Sequence, residues 1–354
     1  MDIQELLGLA IKNKASDLHL LVEIPPTFRI DGVLRFATNF PVLKSDDLES
    51  MIFSLLTPEQ KELLLANKEL DFSFSFKSEG IEDGRFRINA YYEKGYLAGA
   101  FRFLAPKVMT LEDLNLPPTI HEFSKLKQGF VLVTGPSGHG KSSTLAAIIN
   151  EINLERACHI LTIEDPIEFI YSKGNSIISQ REMGIDSHAW SMALRSALRE
   201  DPDVVLIGEM RDPETMQAAM TLAETGHLVF STLHTNSAAQ SVDRIVDSFS
   251  ADQRPQIRLQ LAATLRGIIS QRLLPKIGGG RIPAVEILIG NSAIANNIRD
   301  GKTHLIDTIL QTSKDTGMIT LDESLAELVR NGVITLEDAR SYTLRENEFM
   351  RLIG

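Results

Sequence analysis

The stretch GFVLVTGPSGHGKSSTLAAIINEI, residues 129–152, commits this chain to a strand, a phosphate-binding loop and a helix in immediate succession. An unbroken apolar run leads into a glycine-rich turn, and a helical pattern follows Lys141. Gly135, Gly138 and Gly140 let backbone amides turn inward around phosphates, with Pro136, Ser137 and His139 completing the loop. The helix beginning near Lys141 adds its free N–H groups and the positive end of its dipole. Lys141 is placed to reach the β- and γ-phosphates of a nucleotide, Ser142 offers its hydroxyl to Mg²⁺, and Ser143 stands beside it. His139, at the tip, either faces solvent or lies near the phosphates. The ligands implied are ATP and Mg²⁺.

Such a loop needs a parallel sheet behind it, and the sequence supplies the strands. HILTIED, DVVLIGE and HLVFSTLHT are short aliphatic runs separated by helical stretches. That alternation predicts a parallel sheet covered on both faces. The first 105 or so residues read differently. Asp2 caps a first helix, DLHLLV alternates like a strand, and TFRIDGVLRF reads as a hairpin turning at Asp31-Gly32. Residues 46–68 look helical, and DFSFSF, GRFRINAYY and LAGAFRFL give three more strands. The fold class expected is α/β: an N-terminal α+β domain over residues 1–105, a linker over 106–120, and a phosphate-loop domain over 121–354. Pro106, Pro117 and Pro118 interrupt periodicity in the linker. The last third reads as mainly helical, with GGG at 278–280 forming a loop before the strand-like IPAVEILI.

In an open α/β sheet, ligands collect at the C-terminal ends of the strands. Glu209 stands at such an end in DVVLIGEMRD, with Gly208 where a second acid is common, and is the carboxylate left to hold Mg²⁺ or polarise an attacking water. LTIEDPIE brings Glu164, Asp165 and Glu168 to another strand end, where Pro166 turns the chain out of the sheet. His227 and His234 flank the strand LVFSTL, and His234 is placed to sense a γ-phosphate. Arg85, Arg87 and Arg102 on the N-terminal strands, and Arg195, Arg199 and Arg211 near the acids, are candidates for the arginine on which phosphoryl transfer often depends.

Composition narrows the class. The formal net charge is −11, and no basic stripe interleaved with aromatics is present, which argues against a helicase or other direct nucleic-acid binder. One cysteine, Cys158, supports neither a disulfide framework nor a cysteine-rich zinc site. The opening MDIQELLGLAIKNK lacks the basic and uninterrupted apolar segments of a signal peptide. No apolar run approaches the length of a spanning helix.

Taken together, these motifs resemble the secretion ATPase superfamily, and within it the retraction ATPases of type IV pili. The resemblance covers nearly the whole chain. ASDLHL with PPTFRIDG looks like the N-terminal PAS-like domain of that family. GPSGHGKS is similar to its Walker A loop, LTIEDPIEF to its Asp box, DPDVVLIGEMRD to its Walker B strand and TGHLVFSTLHTNSA to its His box. AIANNIRDGKTHLID resembles the C-terminal segment linked there to retraction, with Ala295 and Asn297 replacing the usual Arg and Leu. The resemblance implies a PAS-like domain followed by a RecA-like ATPase domain with a helical C-terminal region, working as a homo-hexameric, ATP-hydrolysing motor. Its partners would be an inner-membrane platform protein and the pilus machinery, at the cytoplasmic face of the inner membrane and without insertion of its own. Lys141 and Ser142 would bind Mg-ATP and Glu209 would be the catalytic carboxylate, supported by Glu168 or Glu164. His234 and His227 would couple the γ-phosphate to movement. Arg87 and Arg102 would approach the nucleotide at a domain or subunit interface. Extension and secretion ATPases of the same superfamily are the alternative, but they commonly carry a four-cysteine zinc site. A low-turnover accessory subunit is another alternative, suggested by His139 standing where Ser is usual.

Overall fold

The computed structural model describes residues 2–30, 32–78, 81–104 and 108–354. The chain divides into two compact units, the first comprising Met1–Lys107 with Pro166–Ile170, the second Val108–Asp165 with Tyr171–Gly354.

In the first unit Asp2 caps α1 (Ile3–Lys12), accepting from the Gln4 amide at 2.9 Å. The carboxylate thereby satisfies one of the free amides of the first turn. The strands β1 (Asp17–Leu20), β2 (Thr27–Ile30) and β3 (Val33–Phe36) follow. The hairpin expected at Asp31-Gly32 is formed by β2 and β3, with Ile30 opposite Val33; Asp31 itself lies outside the described residues. The helical region expected over 46–68 is two helices, α2 (Ser45–Phe53) and α3 (Pro58–Asn67). Thr57 starts the second by a reciprocal cap with Gln60, and Pro58 fits the first helical position, where no amide is needed. The strands β4 (Glu69–Ser78), β5 (Ile81–Glu93) and β6 (Tyr96–Leu104) complete an antiparallel sheet of order β3-β2-β1-β6-β5-β4. Leu6, Leu7, Leu18, Leu20, Phe86 and Phe101 form its core.

The second unit opens with α4 (His121–Ser124), β7 (Gly129–Thr134), α5 (Lys141–Glu155), β8 (His159–Glu164) and β9 (Ile177–Glu182). It continues through α6 (Trp190–Ala197), β10 (Val204–Ile207), α7 (Pro213–Glu224), β11 (Leu228–Leu233), α8 (Ala238–Asp247) and α9 (Arg254–Thr264). It ends with β12 (Leu265–Pro275), β13 (Arg281–Ile289), α10 (Ser292–Asp300), α11 (Ile306–Thr312), α12 (Leu321–Arg330), α13 (Leu336–Tyr342) and α14 (Glu346–Ile353). The sheet order is β13-β12-β7-β11-β10-β8-β9, parallel except for β13. Side chains alternate across it: Phe130 and Leu132 join one core with α6 to α9, while Val131 and Val133 join another with α5.

Two expectations change, and the last third, mainly helical as expected, gains one strand that was not expected, β12, which with β13 extends the sheet on the far side of β7. The linker expected over 106–120 is, from Val108 onward, part of the second unit, with Leu111 and Leu116 in its core; residues 106 and 107 lie outside the described residues. The N-terminal unit is discontinuous, since Pro166–Ile170 belongs to it and Arg85 Nε donates to the Ile167 carbonyl at 3.1 Å.

Candidate active site

The phosphate loop leaves the C-terminal end of β7, which lies between β11 and β12. Gly135 is required by its surroundings. At its φ of 143°, an added Cβ would fall 2.4 Å from the Gln271 carbonyl of β12. Gly140, left-handed at φ 84°, precedes α5, and a Cβ there would sit 2.8 Å from Gln271 Nε2. At these two glycines the loop is thus close-packed against a neighbouring strand.

Lys141 opens α5 and is buried, its ammonium donating to the Gly135 carbonyl at 2.9 Å and the Pro136 carbonyl at 3.0 Å. It also lies 3.5 Å from His234 Nδ1. An ammonium only donates, so His234 Nδ1 accepts there and Nε2 carries the hydrogen. Nε2 in turn lies 3.2 Å from Glu209 Oε2. Glu209 is also paired with Arg211. Burial pushes the Glu209 carboxyl up, but the bonds from Arg211 and His234 outweigh it and hold the group below its ordinary range. At neutral pH it is a carboxylate. The row Lys141–His234–Glu209–Arg211 therefore spans the adjoining ends of β7, β11 and β10. Ser142 and Ser143 follow Lys141 in the first turn of α5, and Ser137 and Gly138 are exposed at the loop's outer side. Ser142 and Glu209 are the residues suited to Mg²⁺. Mg²⁺ takes few protein ligands and keeps waters and substrate phosphates, so one hydroxyl and one carboxylate fit it.

His139 does not face free solvent. Its Nδ1 accepts from the Leu273 amide of β12 at 2.9 Å, and its ring meets Tyr342 of α13 edge-on, with centroids 6.0 Å apart. Burial lowers its pKa, with Arg272, Lys141 and Arg281 acting in the same direction, so the ring stays neutral.

Glu164 closes β8, one strand further out than Glu209, and accepts from Thr162 Oγ1 at 2.7 Å. His227 is not at the phosphate loop of its own chain. It precedes β11, at the opposite end of that strand from His234, and its Nδ1 lies 2.9 Å from the Leu222 carbonyl at the end of α7. Arg195 pairs with Glu214 at 3.1 Å, and Arg199 is exposed.

Glu168, Arg87 and Arg102 belong to the first unit. Arg87 and Arg102 stand directly opposite each other on β5 and β6. Like charges so placed repel. Here each faces an acid, Asp71 at 3.5 Å from Arg87, and Asp17, shared with Arg29, at 3.1 Å from Arg102. Both side chains remain open to solvent, 43% and 69% exposed, which leaves capacity for a further anion.

The residues that sequence reading missed are Gln271, Arg272 and Leu273. They lie on β12, which follows α9 without a turn. The available signal was IISQRLL, two β-branched and two further aliphatic residues bounded by Gly267 and Pro275.

The family model for the Type II/IV secretion system protein matches residues 106–346. The chain belongs to that family. It is 46% identical to the "Type IV pilus retractation ATPase PilT" of Pseudomonas aeruginosa, over 96% of this chain and 97% of that protein. It is 46% identical to a "Twitching motility protein" of Neisseria gonorrhoeae, over 89% of this chain and 83% of that one. The crystal structure of the pilus retraction motor PilT with bound ADP superposes at a TM-score of 0.92, with 45% identity and 99% of each chain covered. These matches make the chain a PilT-type secretion ATPase, and they bear out the α/β fold of an N-terminal domain followed by an ATPase domain.

Proposed function

We propose that this chain hydrolyses Mg-ATP to power retraction of type IV pili. The observation that carries the reading is the row Lys141–His234–Glu209 at the adjoining strand ends, in a chain similar to PilT along nearly its full length. The loop amides and Lys141 hold the phosphates. Mg²⁺, when bound beside Ser142 and Glu209, neutralises charge building on the β- and γ-phosphate oxygens. Glu209, ionised, orients the attacking water and takes its proton. His234, between Lys141 and Glu209, reports whether a γ-phosphate is present. Glu164 supports the acid end of the site.

Arg87 and Arg102 complete the nucleotide site of a neighbouring subunit in a homo-hexameric ring, and His227 serves coupling across the same interface. The exposed, paired arginines support this reading. No helix among the described residues is long and apolar enough to cross a membrane. In this reading the ring works in the cytoplasm, docked on an inner-membrane platform protein of the pilus machinery, with no nucleic acid bound.

The test is expression in piliated cells that lack their own retraction ATPase. The parent chain restores retraction of labelled pili, and Lys141→Ala, expressed equally, does not. Vigorous ATP hydrolysis without any restored retraction would assign the motor to another task.

A further inference from the structure

β12 does more than extend the sheet. Because strand side chains alternate, Gln271 and Arg272 leave it on opposite faces. Gln271 Oε1 accepts from Thr144 Oγ1 of α5 at 2.7 Å, and the Leu273 amide donates to His139. With the close approaches at Gly135 and Gly140, the phosphate loop rests on β12 at both its ends and at His139.

Arg272 serves the other face. It is only 5% exposed. Its Nη1 donates to the Gln271 carbonyl at 3.0 Å, and its Nη2 to the Asn236 carbonyl at 3.1 Å and Asn236 Oδ1 at 2.9 Å. Asn236 is two residues past His234, in the irregular segment before α8. The far end of that segment is also held, since the Ala238 amide donates to Glu286 of β13 at 2.7 Å. A buried guanidinium is costly unless its hydrogen bonds are made, and a planar fork is suited to bridging several carbonyl oxygens at once. A lysine ammonium lacks that fork.

We propose that Arg272 is a positioning residue: it fixes the loop Thr235–Ala238, and with it His234, against the phosphate loop, using β12 as the common support. The 3.5 Å spacing of Lys141 Nζ and His234 Nδ1 is set by this strut. The inference rests on the reading of His234 as the γ-phosphate sensor. Phosphate binding is expected to persist without Arg272, because the Gln271 side chain and the Leu273 amide reach Thr144 and His139 through atoms that do not touch it.

The experiment uses the full chain with Arg272→Lys, Asn236→Ala and the double variant. Steady-state kcat and KM for ATP are measured, together with the affinities for ADP and ATPγS by displacement of a fluorescent nucleotide, and thermal melting. Each single variant lowers kcat about tenfold or more and narrows the preference for ATPγS over ADP. KM and ADP affinity stay within about threefold, and the double variant is no worse than Arg272→Lys, as expected for partners in one contact. Asn236 is exposed, so its truncation reports even if Arg272→Lys fails to fold. Unchanged kcat and nucleotide preference in the variants overturns the proposal. So do losses that multiply in the double variant, or a fall in ADP affinity that merely tracks melting temperature. A parent chain without turnover would instead remove the motor reading, and the ATPγS-to-ADP preference would still decide the role of Arg272.

Discussion

At the scale of single residues, the site is a set of groups whose protonation is fixed by their neighbours. Lys141 donates to His234, which forces the ring hydrogen onto Nε2 and toward Glu209. Glu209 receives that hydrogen bond and the Arg211 ion pair, and both favour the charged carboxylate a water-activating group needs. Glu209→Gln keeps the size and one acceptor oxygen but removes the charge. It is expected to lower kcat by about 10²–10³ while ATP binding persists, as measured by steady-state turnover beside fluorescent-nucleotide titration. Equal loss of binding and turnover would mean that Glu209 holds the nucleotide rather than activating water. Gly208 and His139 stand where other residues are usual. The Gly208 carbonyl accepts from Thr232 Oγ1 at 2.6 Å, and His139 ties the loop to β12 and α13.

At the scale of elements, legibility followed the strength of local signals. The phosphate loop, its strand and its helix were readable because glycine spacing, aliphatic run and helical period all agree there. Glu209 and His234 were readable because they follow short, mostly apolar strands. β12 was not, because it grows directly out of α9, with no glycine or proline between Pro255 and Gly267 to mark the change. Its residues touch the loop only through tertiary pairing with β7, which no local pattern records. The same holds for the packing of Pro166–Ile170 with the first unit. Glu286, on the neighbouring β13, is another element-scale feature. It is buried, bonded to the Ala238 amide, and pushed up to about 7. Burial is the main cause, with Asp307 adding to it and the Ala238 and Leu321 amides and Arg345 opposing; Arg272 also faces it. The unfolded carboxyl ionises near 4.5, so the folded state holds the extra proton between there and about 7. The stability this group contributes is present below about pH 4.5 and is lost as pH rises to about 7. Glu286→Gln keeps an acceptor and removes the titration. Its melting temperature relative to the parent should therefore rise from about pH 5 to about pH 8. A constant difference across that range would contradict the buried-acid account.

At the scale of the whole molecule, one chain holds the phosphate loop, His234 and the Glu209 carboxylate, and it also presents two solvent-open arginines opposite one another on the sheet of its first unit. A ring would use both features, each subunit binding a nucleotide and lending arginines to the next. The central claim is that ATP hydrolysis needs that assembly. Its most direct test is ATP turnover per chain measured across protein concentration, with sedimentation at the same concentrations. The account predicts turnover that rises steeply as rings form and then levels off, with Arg102→Ala assembling normally but staying at the low level. Appreciable turnover that stays constant down to concentrations where only monomers sediment would contradict it.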